Sequence, residues 1–491
     1  MTGLRRRLAA LVGSFLVIVA GLARTFYFAG RPDQLITIIP DDAFYYLRLA
    51  HNRVAVGTWT FDQVSPTSGF HLLYGYLLAG TEWIFGPVLE DWQHSAVVIS
   101  VLSTFAVALA AYWVVRTGQR LYGEPAAWWA LVVLLVPSSI QLLTMMMESP
   151  LVVLAAAGVF ALGASDRQPS VPSVLGLVLA GWLAGLSRAD FGLWPGMLWL
   201  VMMLCRDEKV RKLRLSLILV GAVVAVITTL VHSYLWTSHL APSSALVKLQ
   251  WSLEAGMGSF GGDFGLPALI LLAFGFAAYR LAAHRPGKLS FEPFALASAL
   301  TVVGYMVIFY GIGSRGVQPW YQASFLVPLS VSAMAVGAVV SPRLSKVIAI
   351  LLVSVVAIAS LMATTTQRWP WQAGMYHAAQ RLVEKTDGKP VGSWNAGILA
   401  VVSGLPVTNL DGLVDDRAAA ASVQGVLYDY LRAREIEYIA DTAESLGWTE
   451  SGKEDPRIAQ CYESLGRLSN SDDPADLKGP TTLFRLREAC R

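Results

Sequence analysis

The stretch Ile39-Pro40-Asp41-Asp42-Ala43-Phe44-Tyr45-Tyr46-Leu47-Arg48-Leu49-Ala50-His51-Asn52 decides how the rest of the chain is read. Two adjacent carboxylates, followed at once by aromatic residues, lie just beyond an apolar run from Leu8 to about Gly30 that Arg5, Arg6 and Arg7 precede. At about 22 residues the run can cross the roughly 30 Å of bilayer hydrocarbon, and it is too long for the apolar core of a signal peptide. A purely structural account of the two acids exists. Pro40 suits a first helical position and acids in a first turn complement the helix dipole, so the block would simply open an amphipathic interfacial helix. Against that account, carboxylates at a bilayer are costly and commonly mark a working site.

Outward from this block, composition divides the chain. It is 55% hydrophobic and only 14% charged over 491 residues, against about 25% charged in soluble proteins. Residues 363–491 hold 32 of the 71 Asp, Glu, Lys and Arg residues, so the reading is a membrane body, 1–362, followed by a soluble domain, 363–491. That excludes a wholly soluble enzyme, a secreted disulfide scaffold and a disordered chain. The net charge of +3 carries little information, and no basic face interleaved with aromatics argues for nucleic acid.

Apolar runs recur near 94–116, 125–147, 149–164, 172–187, 191–205, 215–236, 265–281, 291–312, 320–340 and 346–363. Between alternate runs lie basic loops: Arg116 and Arg120; Arg167; Arg206, Lys209, Arg211, Lys212 and Arg214; Arg280, Arg285 and Lys288; Arg343 and Lys346. Lysine and arginine accumulate on the cytoplasmic side, which places these loops with Arg5 to Arg7. Phe70 to Pro87, which carries His71 and Glu82, would invert that pattern if it crossed, so it is read as interfacial or re-entrant. The expectation is about eleven crossings with the N-terminus cytoplasmic. The first outer loop, 31–93, and the tail would share the extracytoplasmic face of a cell membrane. Cys461 and Cys490 both fall in that tail, where an oxidising compartment permits but does not require a disulfide.

The same outer face would carry Glu148 in Met147-Glu148-Ser149-Pro150, Arg188 in Ser187-Arg188-Ala189-Asp190, Lys248, and Arg315 shortly before Pro319-Trp320-Tyr321. Plain alternatives are a helix start for Glu148, an Arg188–Asp190 ion pair, and snorkelling for Lys248 and Arg315. Read functionally, the cations neutralise a phosphate, and a carboxylate serves as base toward a hydroxyl acceptor. Oxygen ligands from Asp41, Asp42 and Glu148 would suit a divalent cation, although nothing in the sequence requires a cofactor. Gly392 to Gly404 offers either a sugar or phosphate cradle or an ordinary strand-to-helix turn. Asp411, before Gly412, reads as a turn residue. Trp371–Lys385 and Val423–Arg434 read as helices, and Pro390–Trp394, Leu405–Asn409 and Ile436–Ala440 as strands, of a small α/β domain.

The block resembles polytopic GT-C glycosyltransferases, the group of the protein O-mannosyltransferases, lipid A aminoarabinose transferases and arabinofuranosyltransferases, and above all uncharacterised bacterial members. The residues that carry the resemblance are Asp41-Asp42-Ala43-Phe44-Tyr45-Tyr46, Ala50-His51-Asn52, Gly57, Thr60-Phe61-Asp62 and Thr67-Ser68-Gly69-Phe70-His71. Ser68 and Leu72 stand where that pattern has Asn and Pro. Met147 to Leu151, Leu186 to Asp190, Pro242 to Lys248, Pro319 to Pro328 and Asn409 to Val414 are similar to further family turns.

The resemblance implies a GT-C fold with an extracytoplasmic α/β domain. It also implies an inverting transferase that moves a monosaccharide from a polyprenyl-phosphate donor to a glycan, lipid or protein of the cell envelope. Asp41 or Asp42 would be the base and Glu148 a second catalytic acid. Tyr45, Tyr46, His71, Arg188, Lys248, Arg315 and Tyr321 would bind substrate. A transporter or flippase for a lipid-linked or anionic solute is the alternative, expected to show paired broken helices and symmetric halves; a structural scaffold of a cell-wall complex is the third reading.

Overall fold

The computed structural model of the chain describes residues 7–205, 208–245, 247, 292–306, 318–442, 445–446, 455–469 and 480–491. The expected apolar runs within them lie on helices. The run at 265–281 falls outside them, as do Arg5, Arg6, Arg206, Arg280, Arg285 and Lys288. Among the described residues, five helices are long and apolar enough to cross a bilayer: Leu8–Phe28, Trp92–Leu121, Lys209–Thr237, Pro319–Val339 and Pro342–Thr365. Glu124–Leu134 and Pro137–Thr144 form a pair bent by 62°, a sixth span if taken together. The bend falls where Pro137, which has no N–H to continue the ladder, opens a new helix after extended Val136. Shorter apolar helices are Ser149–Gly163, Val171–Ser187, Ala189–Met203 and Pro293–Tyr305. Leu72–Phe85, with 14 residues, is too short to cross upright.

The chain falls into two compact units: Met1–Tyr27 with Val98–Thr229 and Trp251–Thr366, and Phe28–Val97 with Leu230–Gln250 and Gln367–Arg491. In the first, apolar side chains are exposed along single helix faces, such as Val98, Leu102, Phe105 and Leu109, and Val347, Leu351, Val355 and Ile358. These are the stripes a lipid-facing helix presents. Close helix pairing relies on glycine. A Cβ on Gly181 would stand 1.9 Å from the Ile218 carbonyl, and one on Gly221 1.9 Å from that of Val178. With Gly185 against Ala225, this is the small-residue contact by which membrane helices bring their backbones together. Arg24, 1% exposed, ends the first span as a staple: its guanidinium donates to the Thr144 hydroxyl and to the carbonyls of Ala363, Thr364 and Thr366 at 2.9–3.1 Å.

The second unit contains a five-stranded sheet: β1 (Val391–Ser393), β2 (Val407–Asn409), β3 (Tyr438–Thr442), β4 (Tyr462–Arg467) and β5 (Thr481–Leu486). Its order is β2-β1-β3-β5-β4, with β1 parallel to β2 and β3, and β5 antiparallel to β3 and β4. Trp394, Leu410, Leu427, Leu431, Ile439 and Phe484 belong to its buried core. Cys461 and Cys490 are joined by a disulfide beside that core. The expected tail helices and first three strands are present; β4 and β5 come in addition.

Candidate functional site

Loop one and the tail belong to the same compact unit, and the acid pair lies where they meet. Pro40 is extended (φ −66°, ψ 150°) and stands just outside the helix Asp41–Ala55, so Asp41 and Asp42, not the proline, form the first turn. Residues spaced by three and four share a helix face. Asp41, Tyr45 and Arg48 accordingly turn toward the tail. The Asp41 carboxylate, 6% exposed, accepts the backbone N–H of Gly397 at 3.0 Å and of Ile398 at 2.7 Å, in the first turn of the helix Ala396–Ser403. A Cβ on Gly397 would meet the Asp41 carbonyl at 2.2 Å, so only glycine permits this approach. The Gln372 side chain, with its amide oriented by its partners, accepts the Asp41 N–H at 3.0 Å and donates to the Ile36 and Ile39 carbonyls.

Tyr45 is equally committed. Its hydroxyl receives the Asn409 amide at 3.1 Å and donates to the Trp394 carbonyl at 3.4 Å, while its ring meets Phe61 edge-on. Asp42 is half-buried on the adjoining face. Tyr46 packs edge-on against Tyr74, and half-buried His71 directly precedes the helix Leu72–Phe85. Glu82, an acid in an apolar helix, ties that helix to the Asp41–Ala55 helix through His51 Nδ1 at 2.8 Å and accepts the Leu89 N–H at 2.8 Å.

The tail turn Asn409–Asp416 lies against loop one. Thr67 donates to Asp416 at 2.8 Å, Ser243 donates to the Leu413 carbonyl, and a Cβ on Gly69 would fall 1.7 Å from that same oxygen. Asp415 caps the helix Asp416–Val423 through the N–H groups of Arg417 and Ala418, and accepts the Tyr430 hydroxyl. Arg434 bridges to Asp62 at 2.8 Å. Burial dominates the electrostatics here. It pushes Asp41 up to about 7, with the Asp42 charge adding and the two amide bonds opposing. It holds Asp411 well above the usual carboxylate range, to which the charges of Asp42 and Asp41 contribute. Asp415 rises to about 6, through burial first and the Asp62 charge second.

In the first unit, Glu148 is fully buried and Arg188 is 4% exposed. The Arg188 guanidinium donates to Glu148 at 2.7 Å and to both Asp190 oxygens at 2.9 and 3.2 Å, and lies 4.7 Å from the centre of the Tyr321 ring. The Arg188–Asp190 pair is therefore present, and Glu148 extends it to a triad. Glu148 itself stands at the cap position of the Ser149–Gly163 helix without capping it through its side chain. Lys248 and Arg315 lie outside the described residues. Among the described residues no three His, Cys, Asp or Glu side chains come together as a metal-ligand group. The Asp41 oxygens are already taken up by amide N–H groups, so that acid does not fit the role of a cation ligand in this arrangement.

Sequence reasoning missed Asp41's attachment to the tail helix, the close approach of Gly69 to Leu413, and Arg24. Only Arg24 left a sequence signal, a lone arginine inside an apolar run. The Gly392–Gly404 cradle does offer helix N-terminal amides, and Asp41 occupies them.

No family model matches the chain, and no curated protein does so. Solved structures do match. The chain is similar to ArnT from Cupriavidus metallidurans bound to undecaprenyl phosphate, with TM-score 0.59 at 14% identity over 96% of this chain and 97% of that one. The apo state of the same protein gives 0.54 at 14% identity over 90% and 92%. The oligosaccharyltransferase of Archaeoglobus fulgidus, tethered to an acceptor peptide, gives 0.55 at 13% identity over 97% of this chain and 74% of that one. Likeness at this identity establishes the architecture: a polytopic helical membrane protein of GT-C fold with a C-terminal α/β domain.

Proposed function

We propose that the chain is an inverting glycosyltransferase that takes a monosaccharide from a polyprenyl-phosphate donor and passes it to a hydroxyl-bearing acceptor of the cell envelope, a glycan, lipid or protein, on the extracytoplasmic face. The observation that carries this reading is the acid pair Asp41-Asp42 in the first turn of the helix Asp41–Ala55, with Asp41 braced by the tail, in a chain of GT-C fold. A loop-one carboxylate takes the proton of the acceptor hydroxyl as that oxygen bonds to the anomeric carbon from the face opposite the phosphate. The carbon–oxygen bond to the phosphate breaks, and the polyprenyl phosphate leaves with the electron pair. Phosphate is a stable leaving group and needs no strong acid, so one base suffices. Its charge is met by cations, for which Arg188 and Lys248 are the proposed residues. Glu148 and Asp190 hold the Arg188 guanidinium in a fixed plane, with Tyr321 against its face. Tyr46, His71 and Arg315 are proposed to line the substrate path; Tyr45, expected to do the same, has its hydroxyl engaged by Asn409 and Trp394 and braces the tail instead.

The test is turnover of undecaprenyl-phosphate monosaccharides (mannose, glucose, arabinose and aminoarabinose) by the purified protein with envelope extract as acceptor. The proposal expects transfer from at least one donor and none by the Asp41→Asn, Asp42→Asn double variant. Transfer by the double variant at the wild-type rate would refute the assignment of the base.

A further inference from the structure

Resting on that reading, we infer that the two adjacent acids divide the work: Asp42 is the base, and Asp41 is a positioning residue that fastens the tail to loop one. The geometry separates them. The two oxygens of Asp41 accept the N–H groups of Gly397 and Ile398, and the side chain is almost wholly buried. Its backbone N–H is held by Gln372, from the tail. The helix it caps, Ala396–Ser403, has eight residues and leaves β1, the middle strand of the parallel trio β2-β1-β3. Chain connections run from β1 to β2 on one side and on to β3 on the other. The carboxyl ends of β1 and β3 thus form the crevice where open α/β sheets receive anionic ligands. In this chain the acceptor oxygens are supplied internally by Asp41, which turns that crevice into an attachment point.

Beside it, Asp441 organises the same turn: it accepts the Ser393 hydroxyl and the backbone N–H groups of Trp394 and Asn395 at 2.8–2.9 Å. Tyr45, four residues after Asp41, continues the attachment through Asn409 and Trp394. Asp42 points about 100° away around the helix and is half-buried, whereas Asp41 is buried. Burial gives Asp41 a basicity that would suit a general base, but its position denies it the substrate. Proximity decides between two neighbouring carboxylates when only one can touch the reacting atom.

Three single variants of the full-length protein test this: Asp41→Asn, Asp42→Asn and Gly397→Ala. The last breaks the attachment by steric contact while leaving both acids in place. Each is assayed for kcat and KM with the undecaprenyl-phosphate monosaccharide that the wild type uses, and for amide exchange in residues 396–403. Asp42→Asn is expected to lower kcat by about 100- to 10,000-fold, the usual worth of a general base, with exchange unchanged. Asp41→Asn and Gly397→Ala are expected to behave alike, with faster exchange, a raised KM and kcat within about tenfold of wild type. The inference is overturned if Asp41→Asn abolishes turnover while Gly397→Ala retains it, if Asp42→Asn turns over normally, or if Asp41→Asn leaves exchange in 396–403 unaltered. If the wild type uses none of the donors, the proposed function fails, and the exchange measurement still reports on the fastening role.

Discussion

Raising the pH from 5 to 8 should weaken the association of loop one with the tail, because Asp41 holds its proton more tightly when buried than in water. Its ordinary value is 3.8 and burial lifts it to about 7. Between those values the associated form carries a proton that the separated form has released, so stability falls as pH rises and levels off above about 7.5. At about 1.4 kcal/mol per unit, the full shift corresponds to on the order of 4 kcal/mol, of which the part lost between pH 5 and 8 is about 3 kcal/mol. Asp415, raised to about 6, and Asp411, raised further, act in the same sense. Carboxylates held low, such as Asp455 beside Arg457 and Glu437 beside Lys389, lose their contribution only below about pH 4 and leave this window unaffected. Hydrogen exchange of residues 396–403 in the full-length protein in detergent, corrected for the intrinsic pH dependence of exchange, reads the opening free energy directly. Protection should fall from pH 5 to pH 8 and should do so less steeply in Asp41→Asn. Protection that rises with pH, or an unchanged slope in the variant, would refute the reasoning.

Other perturbations have defined outcomes. Replacing Cys461 and Cys490 by serine opens a 29-residue loop and should destabilise the full-length protein's C-terminal region by about 3–4 kcal/mol on a chain-entropy account, read as a lowered denaturation midpoint that reductant reproduces in the wild type. Gly221→Leu should separate the Val171–Ser187 and Lys209–Thr237 helices, because even a Cβ at 221 meets the Val178 carbonyl at 1.9 Å; loss of monodisperse protein in detergent would register it, whereas the same change at Gly80, with open space around it, should be tolerated. Arg188→Ala leaves Glu148 buried without its cation and should cost about 3–5 kcal/mol, whereas Arg188→Ala with Glu148→Gln should recover part of that loss in thermal melts.

The body was legible because lipid demands long apolar segments, and those persist in any reading of Leu8–Phe28, Trp92–Leu121 or Lys209–Thr237. The acid block drew attention because carboxylates in such surroundings need a reason. What stayed hidden were relations between distant residues. Asp41 meets Ile398 across 357 positions, and no local pattern announces that a helix N-terminus will be capped by a carboxylate so far away. Gly69 looks like any loop glycine until the Leu413 carbonyl fills the place of its side chain. The strand β4, Tyr462–Arg467, escaped because it is an exposed edge strand without an apolar alternation. Arg188 drew attention as a cation for phosphate, yet its contact with Glu148 depends on two turns that lie 40 residues apart.

The central claim is that a loop-one acid drives sugar transfer from a polyprenyl-phosphate donor. Release of undecaprenyl phosphate tests it most directly, since that product is common to every donor sugar and every acceptor. Wild-type protein given the donor panel and envelope extract should release it from at least one donor, and the Asp41→Asn, Asp42→Asn double variant, matched for expression and monodispersity, should release none. No release by the wild type from any donor, or equal release by the double variant, would contradict the account.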